Sequence, residues 1–93
     1  MDSTMDISIG QVVMSRAGRD KGRIFLVLQI VDDQHVFIVD GDLRKLDNPK
    51  RKKIKHLTVY NTVVTEFKDK IENDVNINDA YVRKLLEAFQ TSF

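Results

Sequence analysis

The chain has 93 residues, of which 42% are hydrophobic, with a formal net charge of +1 and no cysteine. That length suits one small domain, which buries well under about three quarters of its unfolded surface and has little room for an internal catalytic pocket. The absence of thiols excludes a disulfide framework, a cysteine nucleophile and cysteine-held zinc or iron–sulfur clusters.

The N-terminus, Met1-Asp2-Ser3-Thr4-Met5-Asp6, is acidic and polar where a secretory signal would be basic and then apolar. No apolar run approaches the roughly 20 residues of a membrane span, so a cytoplasmic protein with no membrane partner is expected. After Gly10 the pattern predicts short strands at about 11–16, 22–31, 34–40, 54–60 and 62–65, the spacing of a small barrel or sandwich. Between the first two strands lies a turn carrying Arg16, Arg19, Lys21 and Arg23 around Gly18 and Gly22. The two glycines suit positive φ or a bulge.

The second strand is apolar at nearly every position, which predicts cover on both faces, as in a bent central strand. Asp32-Asp33-Gln34 forms a short hairpin connection into His35-Val36-Phe37-Ile38-Val39. Asp40-Gly41-Asp42 closes that strand. The following stretch, Leu43 to Lys53, contains the sole proline and a dense basic run, so an exposed loop is expected up to a strand starting at Ile54. Near the end, Asn78 is an N-cap candidate, and Val82, Leu85, Leu86 and Phe89 form one face of an amphipathic helix over 77–89. A shorter helical turn is predicted over Glu66 to Asn73, with Phe67 and Ile71 on one side.

Charge is unevenly spread along this order. From Arg16 to His56 there are 11 Lys/Arg against 6 Asp, whereas residues 57–93 hold 4 Lys/Arg and 6 acids. A positive centre between acidic ends suits a local anionic partner. The segment from Arg44 through Lys45, Lys50, Arg51, Lys52, Lys53 and Lys55 to His56 can neutralise several phosphates and release counterions. A charge run of this kind also serves simply as solvated surface. If folding sets the Gly18–Arg23 turn beside it, two separate segments build one positive face.

Other chemistry finds little support. The turn lacks the Gly-Lys-Ser/Thr ending of a nucleotide P-loop. A calcium loop begun at Asp40 would have Arg51 at its twelfth position, where a bidentate Glu is needed. His35 and His56 are not spaced as a ligand pair, and Ser8, Ser15 and Ser92 have no nucleophile motif around them. No metal, cofactor or enzymatic activity is expected. Phe25, Phe37, Phe67 and Phe89 sit in apolar patterns and read as core, whereas Tyr60 is open to either packing or base stacking. With so few stacking platforms beside the basic region, backbone and shape recognition of structured RNA is favoured over reading of a single strand.

The Gly10-Gln11-Val12-Val13 start, the Gly18-x-x-Lys21-Gly22-Arg23 turn and the apolar strand after it resemble a KOW motif. Continued through Val39-Asp40-Gly41 and the basic stretch to His56-Leu57, the chain is similar to KOW-domain large-subunit ribosomal proteins of the fourteen-e type, and especially to their small stand-alone bacterial relatives. The resemblance spans about residues 7–60. It implies a mainly β fold: a small SH3-like β-barrel over 7–65, with a helical C-terminal extension over 66–93 packed on it. It further implies RNA binding, commonly of ribosomal RNA, without a catalytic centre, and ribosomal proteins as further neighbours. Gly22 then takes the role of turn glycine, and Arg16, Arg19, Lys21, Arg23 and the 44–56 segment become candidate contacts. The chain departs from eukaryotic members in lacking a long basic tail.

The expected function is therefore non-enzymatic binding of structured RNA, in the ribosome or during its assembly, by a monomer. The alternative is a KOW-type protein-interaction module in translation or transcription, docking a partner through Leu86, Phe89 and Phe93. In the competing structural reading, the helix that carries them only covers the open end of the barrel.

Overall fold

The computed structural model describes residues 3–90; Ser92 and Phe93 lie outside them. Five strands form one antiparallel sheet: β1 (Gln11–Ser15), β2 (Ile24–Ile30), β3 (His35–Val39), β4 (Lys50–Lys53) and β5 (Leu57–Val63). Two helices follow, α1 (Thr65–Glu72) and α2 (Asp79–Gln90). The strand order is β4-β3-β2-β1-β5, which makes the apolar β2 the central strand, as its composition predicts. A register shift between Val27 and Gln29 bends it.

Connectivity forces the sheet to curl. β4 and β5 occupy opposite edges, yet only the single 3-10 turn Ile54–His56 joins them. Four strand spacings across a flat sheet amount to about 19 Å, whereas the four residue steps from Lys53 to Leu57 reach at most about 14 Å when extended. The turn is tied to both sides: Ile54 N–H donates to the Gln34 carbonyl at 2.9 Å, and Arg16 N–H donates to the His56 carbonyl at 2.8 Å. Among the described residues no ladder joins β4 to β5, so the curled sheet is not closed into the expected barrel.

Both sheet faces are buried, and each has its own core. Val13, Phe25, Val27, Val36 and Ile38 pack with Ile7, Ile54 and Leu57. Facing the other way, Val12, Ile24, Leu26 and Val39 meet Phe67 of α1 and Val82 and Leu86 of α2. Phe25 and Phe67 are fully buried, in line with their reading as core.

The helices begin close to where the periodicity puts them, and the Asn78 carboxamide oxygen caps α2 by accepting from Tyr81 N–H at 2.9 Å. The first turn of α2 is seated on the loop after β3. The Asp79 carboxylate accepts from Leu46 N–H at 2.8 Å, and Arg83 donates to the Gly41 carbonyl at 2.6 Å. A Cβ at Gly41, where φ is +77°, would collide with the Asp79 carbonyl, so only glycine lets the helix approach this closely.

Two elements differ from the sequence expectation. The basic run is not a loop: Lys50–Lys53 pairs with β3 as an edge strand, with Phe37 opposite Arg51 and Val36 opposite Lys52. The segment from Ile54 begins with the 3-10 turn, and one unbroken strand, Leu57–Val63, replaces the two predicted at 54–60 and 62–65.

Candidate nucleic-acid interface

The turn between β1 and β2 closes through short bonds: Gly22 N–H donates to the Ser15 carbonyl at 2.8 Å and Arg23 N–H to the Asp20 carbonyl at 3.0 Å. Gly18 and Gly22 have φ of +83° and +87°, the left-handed region in which a side chain is strained. This tight turn carries Asp20 inward and leaves Arg16, Arg19 and Lys21 exposed.

Asp20 joins the two basic segments. It is 1% exposed, and its Oδ1 lies 3.0 Å from the Lys52 ammonium and 2.8 Å from the Ser15 hydroxyl. The same ammonium donates to the Ala17 carbonyl at 2.9 Å. Asp20 Oδ2 faces Arg44 Nε at 3.7 Å, too far for a hydrogen bond but close enough for charge attraction. Burial pushes the Asp20 carboxyl up, but the Ser15 hydroxyl and the Lys52 ammonium outweigh it and hold the group below its ordinary value. One buried carboxylate thus fixes the 16–23 turn against β4 and the start of the 44–56 segment.

A second carboxylate organises the loop after β3. Asp40 Oδ1 accepts from Asp42 N–H at 3.0 Å and Arg44 N–H at 2.8 Å, while Oδ2 receives Arg23 at 2.9 Å. Arg23 also reaches Asp42 at 3.0 Å. The Asp40-Gly41-Asp42 triplet is therefore a turn, as its spacing suggests, with both carboxylates directed at Arg23.

These pairings divide the predicted contacts into two groups. Lys52, 8% exposed, is a structural cation whose ammonium is consumed by Asp20 and Ala17, and Arg23 is held by two aspartates. Arg44 is half-buried beside Asp20, and Arg51 lies 3.5 Å from Asp32 on the surface. Among the described residues, Arg16, Arg19, Lys21, Lys45, Lys50, Lys53 and Lys55 enter no ion pair. His56 is exposed next to Lys55, and the bond from Arg16 N–H to its carbonyl brings the turn and the 3-10 segment together. Seven cations are thus left facing outward on segments that Asp20 and the His56 carbonyl bind to one another.

Sequence reasoning missed Asp20, counted only as a charge. Asp20 had one local signal: it is the single acid among four cations within eight residues.

A relative from Bacillus subtilis (strain 168), named "Putative ribosome-binding protein YbzG", is 34% identical over 68 residues, covering 73% of this chain and 86% of the relative. The chain belongs to its family. No protein-family model matches the chain, so the KOW resemblance rests on the residues that carry it. Among the described residues no helix is long and apolar enough to cross a membrane.

Proposed function

We propose that this protein is a non-enzymatic RNA-binding protein that acts on the ribosome or during its assembly, setting a rigid basic surface against the phosphates of folded ribosomal RNA. The observation that carries the reading is the Asp20 junction. It fixes the turn bearing Arg16, Arg19 and Lys21 against the edge strand bearing Lys50 and Lys53, and solubility alone does not require two distant basic segments to be locked together. The relative's printed name supports a ribosomal setting. The curled sheet, the positive-φ turn glycines and the chain order of the motif support a KOW-type, SH3-like domain. Few aromatic side chains accompany the outward cations, which favours recognition of shape and backbone.

Filter binding against ribosomal RNA and an unrelated acidic polymer, over a salt series, tests the reading. Binding to RNA that weakens linearly in log salt and exceeds binding to the polymer is the expected result; no RNA binding at low salt overturns it.

A protein-interaction module is favoured by one observation, a cleft of about 550 Å³ lined by Val64, Tyr81, Leu85 and Phe89 among others. The docking face expected for it is reduced, however. Leu86 is 2% exposed and packs on the sheet, so this part of α2 covers the core, and Phe93 lies outside the described residues. A partner that survives complete nuclease treatment would favour the module; loss of association would favour RNA.

A further inference from the structure

A cavity of about 290 Å³ opens at the basic edge, lined by Gln34, Lys53, Ile54 and Lys55. Its walls are prepared by the fold. Gln34 is held by its backbone on both sides: its N–H donates to Asp32 Oδ1 at 2.8 Å and its carbonyl accepts from Ile54 N–H at 2.9 Å. Ile54 is 2% exposed and ties that wall to the core. Neither the Gln34 carboxamide nor the ammonium groups of Lys53 and Lys55 have a hydrogen-bond partner among the described residues. Fixed backbone, an unused carboxamide and two flanking cations thus surround a space at the lower end of the range for small-molecule sites.

We infer that this cavity receives one unpaired nucleotide extruded from the folded RNA, its base edge bonded by the Gln34 carboxamide and its flanking phosphates by Lys53 and Lys55. A carboxamide offers one donor group and one acceptor, which match the adjacent donor–acceptor pair on the open edge of an extruded base, such as adenine N6 and N7 or uracil N3–H and O4, so the cavity selects an extruded nucleotide over a paired one. The cavity has no aromatic lining, and recognition rests on that edge and on charge instead of stacking. The inference rests on the RNA-binding reading above.

The test uses the full chain and three RNA hairpins that differ at one position: a bulged adenosine, a bulged uridine, or no bulge. Both bulged hairpins are expected to bind about ten-fold more tightly than the paired one. Gln34→Ala should abolish that preference while leaving the unfolding midpoint and the salt slope unchanged, because it removes no charge and keeps both backbone bonds. Lys53→Ala and Lys55→Ala should each lower the slope by about one phosphate contact on all three RNAs. Equal binding of the three hairpins by the wild-type chain, or a preference retained in Gln34→Ala, overturns the inference while leaving RNA binding intact. No binding to any hairpin at low salt overturns the RNA reading itself.

Discussion

Arg51 and Lys52 are neighbours on β4 and each faces one aspartate, yet the two ion pairs differ in kind. Arg51 and Asp32 meet at 3.5 Å with side chains 55% and 43% exposed, whereas Lys52 and Asp20 meet at 3.0 Å with side chains 9% and 1% exposed. Strand alternation separates them: Lys52 stands opposite the fully buried Val36, and Arg51 stands opposite Phe37 on the other side. An exposed pair gains little because water and salt screen it and two long side chains must be ordered. A buried pair gains little over an apolar replacement but becomes expensive when one member is removed. A run of four cations therefore contains one structural member, Lys52, set apart from its neighbours by burial.

The sharpest way to break this comparison is to remove Asp20. Asp20→Ala leaves the Lys52 ammonium buried with only the Ala17 carbonyl, and a loss of about 3–5 kcal/mol in unfolding free energy is expected from urea denaturation. Replacing both partners, Asp20→Ala with Lys52→Met, removes the stranded charge and should recover more than half of that loss. A double variant no better than the single one would show that Lys52 is solvated and that the two pairs are alike.

Acid offers a second contrast. The Asp20 carboxyl is held below its ordinary value in the folded chain, so its contribution is complete above the unfolded value of about 3.9 and is lost as pH falls through the folded one. The urea midpoint should fall as pH drops below about 4, and less steeply in Asp20→Asn. The Asp32 carboxyl is held down to about 2, chiefly by Gln34 N–H and then by His35, but it lies in solvent. Linkage alone would give Asp32 the larger share of the acid limb, but solvent screens its partners, so Asp32→Asn should change the limb less than Asp20→Asn does, and the reverse order would contradict the burial argument.

The same contrast explains what was legible in the sequence. β1, β2 and β3 begin and end within two residues of the predicted strands, and α2 with its Asn78 cap is close to its expected range, because apolar periodicity and cap chemistry are local signals. β4 was invisible because four successive cations show no apolar alternation; it becomes a strand only through its ladder with β3. The burial of Lys52 was hidden for a related reason, since its partner Asp20 lies 32 residues away and no local pattern connects them. The curl of the sheet was equally non-local, because it follows from strand order combined with a three-residue connection. Composition located the basic segments correctly, but only the fold separates cations consumed by aspartates from those left outward.

RNA binding gives a third measurement of the difference. Lys50 is exposed on the edge strand without an ion pair, so Lys50→Ala should reduce the salt slope by about one phosphate contact and leave stability nearly unchanged. Lys52→Met, made together with Asp20→Ala so that no buried carboxylate is left unpaired, should leave the slope as it is, because the Lys52 ammonium faces Asp20 and not solvent. Equal slope changes in the two variants would mean that all members of the run contact RNA alike.

The smallest effect is expected at Asp32, and its sign is the informative part. In the free protein Asp32 competes with any incoming phosphate for Arg51, at 3.5 Å and in solvent, where an attraction of this kind is weak. Asp32→Asn neutralises that competitor while keeping an acceptor oxygen for the Gln34 and His35 N–H groups, both now at 2.8 Å. The hairpin should therefore stay folded, and RNA affinity at low salt should rise slightly as Arg51 becomes available, with a slightly steeper salt dependence. Weaker binding in Asp32→Asn, at an unchanged unfolding midpoint, would instead show that Asp32 positions Arg51 for the RNA, and the exposed pair would then belong to the binding machinery.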